Sequence, residues 1–286
     1  MKIVVLDRPL EMPGELDWSA LEKLGSVTFY DRTPPEKVLE RIGDAEIVML
    51  NKAELNADTI ARCPALRFIS VIGTGYNTVD VSAAAAKGVP VANVPSYGSE
   101  AIGQHAIALL LEITNHVAHH DGEVRKLRRS GERDWCFWDY PIIELAGKTM
   151  GIIGLGHVGA TTARVANALG MHVMAHDAVH RPEMAAFVEY ASLDALYARS
   201  DVICLHCPLF PETEGMIDRA AIKRMKDGVI LINNSRGGLV RDADLAEALV
   251  SGKVGAAGLD TVAHEPIQAD NPLLAAPNVF FTPHIS

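Results

Sequence analysis

The sequence predicts an α/β protein of two domains, and three observations carry that prediction. The chain has 286 residues, enough for two cores of ordinary size. Short apolar runs alternate with amphipathic stretches along most of its length, the pattern of parallel sheets covered on both faces by helices. A glycine-rich turn, G-L-G-H-V-G from Gly154 to Gly159, stands at the head of the second series of alternations.

Composition narrows the partners. Hydrophobic residues make up 49% and charged residues 22%, as in ordinary globular proteins. Against 36 acidic residues stand 26 basic ones, a formal charge of -10 that disfavours nucleic acid or an anionic membrane surface. The one basic run, Arg125 to Arg129, reads as a helix end rather than a phosphate site. Four cysteines do not form a disulfide framework. Cys204 and Cys207 make a C-x-x-C, but it lies where an apolar strand enters a loop and no second pair follows, so no metal is expected. The opening M-K-I-V-V-L-D reads as a strand rather than a leader, and no apolar run approaches membrane-spanning length. A reducing cytoplasm is the expected location.

The first series places strands at Ile3 to Leu6, Val27 to Tyr30, Ile47 to Leu50, Phe68 to Ile72 and Val89 to Val94. Amphipathic stretches such as Glu36 to Ile42 and Val79 to Lys87 lie between them. From Ser99 to about Lys126 the pattern is one long helix with too many apolar positions for a single buried face. Packing against its own domain and against a second copy is expected, hence a homodimer. An aromatic loop follows, D-W-C-F-W-D-Y-P from Asp134 to Pro141, which reads as packing at a domain junction or dimer contact, with substrate contact as the alternative. His116, His119 and His120 share a helix face, but no carboxylate or cysteine partner is evident, so an exposed or interface cluster is expected rather than a metal site.

The second series begins at Lys148, with strands at Met150 to Ile153, His172 to His176, Val202 to His206, Val229 to Ile232, Ala256 to Leu259 and Val279 to Phe281. Strands with helices between them are the doubly wound pattern. The first strand runs directly into Gly154, a helix from Val158 to Leu169 ends at Gly170, and the next strand ends in Asp177. That is a complete βαβ dinucleotide unit. Gly154 permits the tight turn, Gly156 lets the backbone approach a pyrophosphate, and Gly159 allows the helix to pack closely on the strand. The amides near His157 and Val158 then face the phosphates. Asp177 suits a ribose 2′-hydroxyl and repels a 2′-phosphate, which favours NAD; Arg181 nearby leaves NADP open.

Three chemical groups follow the last strands. Arg236, in N-N-S-R-G-G, offers a planar fork for a carboxylate, or else caps the next helix or pairs with Asp242. Glu265 lies in D-T-V-A-H-E-P and His284 in T-P-H-I-S. An imidazole with a carboxylate behind it can donate a proton to a carbonyl oxygen as hydride arrives at the carbon. Taken singly, His284 reads equally as a structural histidine and Glu265 as a solvated acid; their joint placement with Arg236 on one rim favours chemistry.

These segments resemble the D-isomer-specific 2-hydroxyacid dehydrogenases. The likeness runs from I-G-T-G-Y-N-T-V-D (Ile72 to Asp80) through N-V-P-S-Y-G-S-E, E-L-A-G-K-T-M-G-I-I-G-L-G-H-V-G and L-H-C-P-L-F-P-E-T to N-N-S-R-G-G-L-V, D-T-V-A-H-E-P and T-P-H-I-S. It implies a flavodoxin-like substrate domain over residues 1–98 and a doubly wound Rossmann NAD-binding domain over 99–286, with the active site in the cleft between them. It implies that Arg236, Glu265 and His284 are catalytic and that Gly73, Thr74 and Gly75 hold the substrate carboxylate beside Arg236 and His284. Cys207, Pro208, Thr213, Asn234, Ser235 and Asp260 are implied to line the nicotinamide half of the cofactor, with Arg236 and His284 touching it. Around the aromatic loop the sequence most resembles glycerate dehydrogenases, also called hydroxypyruvate reductases. The resemblance thus implies reduction of hydroxypyruvate or glyoxylate to D-glycerate or glycolate. D-lactate and 3-phosphoglycerate are the alternative substrates, and an NADH-sensing binding protein is the alternative class. Family members continue past T-P-H-I with a helix that returns to the first domain and completes it; the sequence ends at Ser286 and leaves open whether such a helix follows.

Overall fold

The computed structural model describes residues 1–8, 17–126 and 136–286. Residues 127–129 of the basic run and residues 134–135 of the aromatic loop lie outside the described residues. The chain forms two compact units, Met1–Tyr97 and Gly98–Ser286.

The first unit runs β1 (Lys2–Val5), α1 (Ser19–Glu22), β2 (Ser26–Phe29), α2 (Val38–Ile42), β3 (Ile47–Leu50), α3 (Ala57–Ala61), β4 (Phe68–Val71), α4 (Val81–Ala86) and β5 (Val91–Ala92). All its paired strands are parallel, in the order β2-β1-β3-β4-β5, which is the flavodoxin-like order. Val4, Leu6, Val48, Leu50, Ile69 and Val71 are buried beneath the helices, which explains their continuous apolar character. Asn56 and Asp80 cap α3 and α4, accepting from the amides of Thr59 and Ala83. The expected fifth strand, Val89 to Val94, shrinks to two residues. Pro90 and Pro95 bracket it and neither can donate to a ladder.

The second unit runs α5 (Ser99–Asn115), α6 (Val117–Arg125), β6 (Thr149–Ile153), α7 (His157–Ala168), β7 (His172–His176), β8 (Val188–Tyr190), α8 (Leu193–Arg199), β9 (Val202–Leu205), α9 (Arg219–Arg224), β10 (Val229–Asn233), α10 (Asp242–Val250), β11 (Val254–Leu259) and β12 (Val279–Phe281). Its strands form one parallel sheet, β12-β11-β10-β9-β6-β7-β8, doubly wound about β6. Two core layers cover the faces. One holds Leu110, Ile113, Ile152 and Ala163, the other Leu196, Leu205, Leu231 and Leu245.

Two expectations change here. The single long helix is two helices, broken at His116, whose φ of 51° lies in the left-handed region. Its ring stacks on Tyr140 at 4.4 Å, a contact that the helical pattern could not announce. The sheet also holds a strand that was not expected, β8. Its V-E-Y is a three-residue edge strand with an exposed middle residue, too short for periodicity to register.

Register draws a line across this sheet. Ile153 is level with His176 and Leu205, Leu205 with Asn233, Asn233 with Leu259, and Leu259 with Phe281. The residues just past these six positions share one edge, at the carboxyl ends of the strands where ligands bind in open α/β sheets.

Candidate active site

The order of the strands reverses between β6 and β9, and the fingerprint sits there. Gly154 follows β6 with φ of +94°, and a Cβ on it would stand 2.5 Å from the Cys207 amide nitrogen just past β9. A side chain is excluded by backbone on both counts. A Cβ on Gly159 would fall 2.1 Å from the Gly154 carbonyl oxygen, so the start of α7 rests directly on the turn. Gly156, by contrast, has open space around its Cβ position and supplies no side-chain cap to α7. The amides of the first turn, at His157 and Val158, are therefore left for another acceptor.

Asp177, just past β7, closes the turn. One carboxylate oxygen accepts from the Leu155 amide at 2.5 Å and the other from Val179 at 2.8 Å. Arg181 lies 3.7 Å from Glu183. Across the switch point, Ser235 Oγ donates to the Cys207 carbonyl at 2.8 Å, and Thr213 Oγ1 donates to the Pro208 carbonyl at 2.8 Å. Burial pushes the Cys207 thiol up to about 11 and raises that of Cys204, so both keep their protons at neutral pH. Cys204 Sγ instead lies 3.2 Å from His206 Nε2.

The chemical groups leave three adjacent strands. Arg236 is three residues past the level of Asn233, and His284 three past Phe281, while Glu265 reaches back on the loop after β11. His284 Nδ1 and Glu265 Oε2 are 2.7 Å apart, and Glu265 Oε1 accepts from the Val262 amide at 3.4 Å. Burial lowers the affinity of the Arg236 guanidinium for its proton, while the nearby Glu265 carboxylate raises it. Arg236 keeps its charge regardless. It donates to the Ser235 carbonyl at 2.8 Å, and Asn233 Nδ2 donates to the Arg236 carbonyl at 2.9 Å. The Asp242 carboxylate accepts from Asn271 at 2.7 Å.

Asp260 is the hub behind His284. The carboxylate is 2% exposed and accepts from Thr282 Oγ1 at 2.6 Å and from the amides of Ile285 and Ser286 at 3.0 and 3.1 Å. Burial pushes this carboxyl up, but the hydrogen bonds from Thr282, Ser286 and Ile285 together outweigh it and hold it below the usual carboxylate range. The His284 amide donates to the carbonyls of Asp260 and Thr282, both at 3.0 Å, with φ of 55°. Such a backbone costs a non-glycine residue on the order of 1–2 kcal/mol, so the loop is held by its hydrogen bonds rather than by preference. Two members of this network, His105 and Thr282, are not marked by the sequence. His105, on α5, places Nε2 2.9 Å from Thr282 Oγ1 and 3.7 Å from Asp260. Nothing local connects residues 177 apart. Asn234 donates to the Ile102 carbonyl at 2.8 Å, fastening β10 to α5 as well.

In the first unit, the loop after β4 carries Gly73, Thr74 and Gly75. Asn93 Nδ2 donates to the Thr74 carbonyl at 2.7 Å, Thr74 Oγ1 to the Val94 carbonyl at 3.1 Å, and the Val94 amide to the Gly73 carbonyl at 2.9 Å. The amides of Gly73, Thr74 and Gly75 donate to no partner among the described residues. Three successive amides of this kind are available to an acceptor such as a carboxylate.

The histidine cluster has the carboxylate that the sequence did not reveal. His119 Nε2 lies 2.7 Å from Asp139, and the His119 ring meets Tyr140 edge-on at 4.9 Å. Tyr140 and Phe137 pack on His116 and His120 at the break between α5 and α6, while Trp138 is 71% exposed.

Comparison with known proteins agrees with this geometry. The chain is 55% identical to the hydroxypyruvate reductase of Blautia hydrogenotrophica, over all of this chain and 90% of that protein. It is 40% identical to the glycerate dehydrogenase of Methylorubrum extorquens over 88% of this chain and 79% of that one. Among solved structures it is similar to a D-lactate dehydrogenase of Aquifex aeolicus complexed with NAD and lactic acid. There the TM-score is 0.87 at 30% identity, covering 99% of this chain and 88% of that one. Residues 107–286 match the D-isomer specific 2-hydroxyacid dehydrogenase, NAD binding domain. With that match, and a relative of such identity along its whole length, the chain belongs to the D-isomer specific 2-hydroxyacid dehydrogenases, enzymes of the NAD(P)-dependent oxidoreductase class.

Proposed function

We propose that this chain reduces hydroxypyruvate to D-glycerate with NADH, and glyoxylate to glycolate more slowly. The observation that carries the chemistry is the 2.7 Å contact of His284 Nδ1 with Glu265, on the loops beside Arg236. The substrate rests on the likeness to the hydroxypyruvate reductase of Blautia hydrogenotrophica and the glycerate dehydrogenase of Methylorubrum extorquens.

When bound, the nicotinamide supplies the hydride for the substrate's second carbon. Gly154, Gly156, Gly159 and the amides of His157 and Val158 hold the pyrophosphate, and Asp177 takes a ribose hydroxyl. Cys207, Pro208, Thr213, Asn234, Ser235 and Asp260 line the nicotinamide half. Arg181, already near Glu183, is poorly placed to welcome a 2′-phosphate, so NAD is preferred to NADP. The amides of Gly73, Thr74 and Gly75 hold the carboxylate, and Arg236 grips it while polarising the carbonyl. His284 gives the proton on Nε2 to the carbonyl oxygen, and Glu265 orients the ring through Nδ1 and stabilises the imidazolium beforehand. The imidazole left behind takes its next proton from water.

In this reading residues 1–98 are the substrate domain and 99–286 the cofactor domain. No helix among the described residues is long and apolar enough to cross a membrane. Buried free thiols at Cys63, Cys204 and Cys207 suit a reducing cytoplasm. Outward-facing Val117, Trp138 and Ile142, 63%, 71% and 67% exposed, suit a homodimer, which sedimentation would detect. The function is tested by following NADH oxidation with hydroxypyruvate, glyoxylate, pyruvate and a branched 2-keto acid, then repeating with NADPH. Preference for hydroxypyruvate is expected; silence on all four with NADH bound would overturn the proposal.

A further inference from the structure

Asp7 stands just past β1 and is only 8% exposed, a carboxylate that the chemistry above does not use. Its two oxygens accept from three successive amides in the loop after β3. Oδ1 accepts from Asn51 at 2.6 Å, and Oδ2 from both Lys52 and Ala53. A buried carboxylate satisfied by main-chain donors holds them at fixed positions, because releasing one leaves a charge without compensation. The loop so fixed continues directly to Leu55. The Leu55 amide donates to the Thr78 carbonyl at 2.8 Å, and the Asp80 amide donates to the Leu55 carbonyl at 2.9 Å. Asn51 itself reaches across, its Oδ1 standing 3.4 Å from where a Cβ on Gly73 would lie. The Ile72 amide donates to the Leu50 carbonyl at 2.7 Å, next to Asn51. The anchored segment thus braces the loop that carries Gly73, Thr74 and Gly75 at its start, beside Ile72, and at its end, through Leu55 to Thr78 and Asp80.

We infer that Asp7 is a positioning residue for substrate carboxylate binding: by fixing residues 51–55 it holds in place the loop whose amides at Gly73, Thr74 and Gly75 receive the anion. The inference rests on the proposed carboxylate role of those amides. Asp7 touches neither substrate nor cofactor, so its loss removes binding that is felt equally in the ground and transition states. Such a loss raises KM and leaves kcat in place.

The experiment compares the wild type with Asp7→Asn and Asp7→Ala, measuring kcat and KM for hydroxypyruvate and glyoxylate, the Kd of NADH, and the melting temperature. Asn keeps the shape and one acceptor oxygen, and serves if Ala fails to fold. The expected result is a KM raised about tenfold in Asp7→Ala and less in Asp7→Asn, by the same factor for both keto acids, since they share only the carboxylate and carbonyl. kcat and the Kd of NADH should stay within about twofold. Unchanged KM values overturn the inference, as does a rise confined to hydroxypyruvate, which would place Asp7 at the hydroxymethyl end. A fall in kcat or a loss of NADH affinity in step with KM overturns it too, since general loosening would explain both. Wild-type protein inactive on both keto acids strikes the proposed function itself, a result distinct from an active wild type with indifferent variants.

Discussion

Glu265 Oε2 and His284 Nδ1 stand 2.7 Å apart across the ends of two neighbouring parallel strands, β11 and β12. With Nδ1 engaged, Nε2 is the ring atom left to exchange a proton with a substrate. His284→Ala is expected to lower kcat by about 10²–10⁴ while the Kd of NADH, read by fluorescence titration, stays near the wild-type value. Glu265→Gln keeps a hydrogen-bond acceptor but not the charge and should lose less. Full turnover in His284→Ala would remove the acid/base assignment.

Gly154 offers a test of the cofactor site away from the chemistry. Gly154→Ala must accommodate φ of +94° and a Cβ 2.5 Å from the Cys207 nitrogen. Strain of about 1–3 kcal/mol is expected. It should weaken NADH binding by roughly tenfold and lower the melting temperature. Gly156→Ala, where nothing lies within 4 Å of the added carbon, is the control that should fold normally.

Asp177 has two tasks that a substitution will separate. Asp177→Asn keeps an acceptor for the Leu155 amide but loses the negative charge facing a 2′-phosphate. The ratio of kcat/KM for NADH over NADPH should fall by at least about tenfold, mostly through improved use of NADPH. An unchanged ratio would mean that another residue selects the cofactor.

His206 makes stability depend on pH. Buried beside Thr162 and Cys204, its pKa is pushed from 6.5 down to about 4 by burial. The unfolded chain therefore takes up the proton first. Stability is intact above the unfolded value and falls as pH drops from 6.5 toward about 4, below which both states are protonated. The loss amounts to about 3 kcal/mol. Urea unfolding at about pH 7 and about pH 4 should show this drop in the wild type and a smaller one in His206→Gln. An equal drop in both proteins would show that His206 is not its source.

The legible parts of this protein were those whose causes are local. The fingerprint from Gly154 to Gly159 could be placed because a strand, a turn and a helix follow one another within a short segment. Arg236, Glu265 and His284 could be named because each follows an apolar run that reads as a strand and lies in a segment that resembles the family. Errors came where a distant contact overrides the local pattern. The helix breaks at His116, where Tyr140 stacks on the ring, and β8 exists because β7 offers an edge. Asp139 was not seen as the partner of His119 because it lies 20 residues further along the chain, beyond the reach of any local pattern.

The sequence by itself determined the α/β class, the division into two series of strands, the dinucleotide turn and which side chains are candidates for the chemistry. Those follow from hydrophobic period and turn chemistry, which act over a few residues. The tertiary structure alone decided the order of the strands and the level line joining Ile153, Leu205, Asn233, Leu259 and Phe281. It alone joined His284 to Glu265, His105 to Thr282, and Asp7 to the amides of Asn51, Lys52 and Ala53. Strands buried on both faces carry no mark of their neighbours. Register is settled only when the whole core closes and every buried donor and acceptor must find its partner at once.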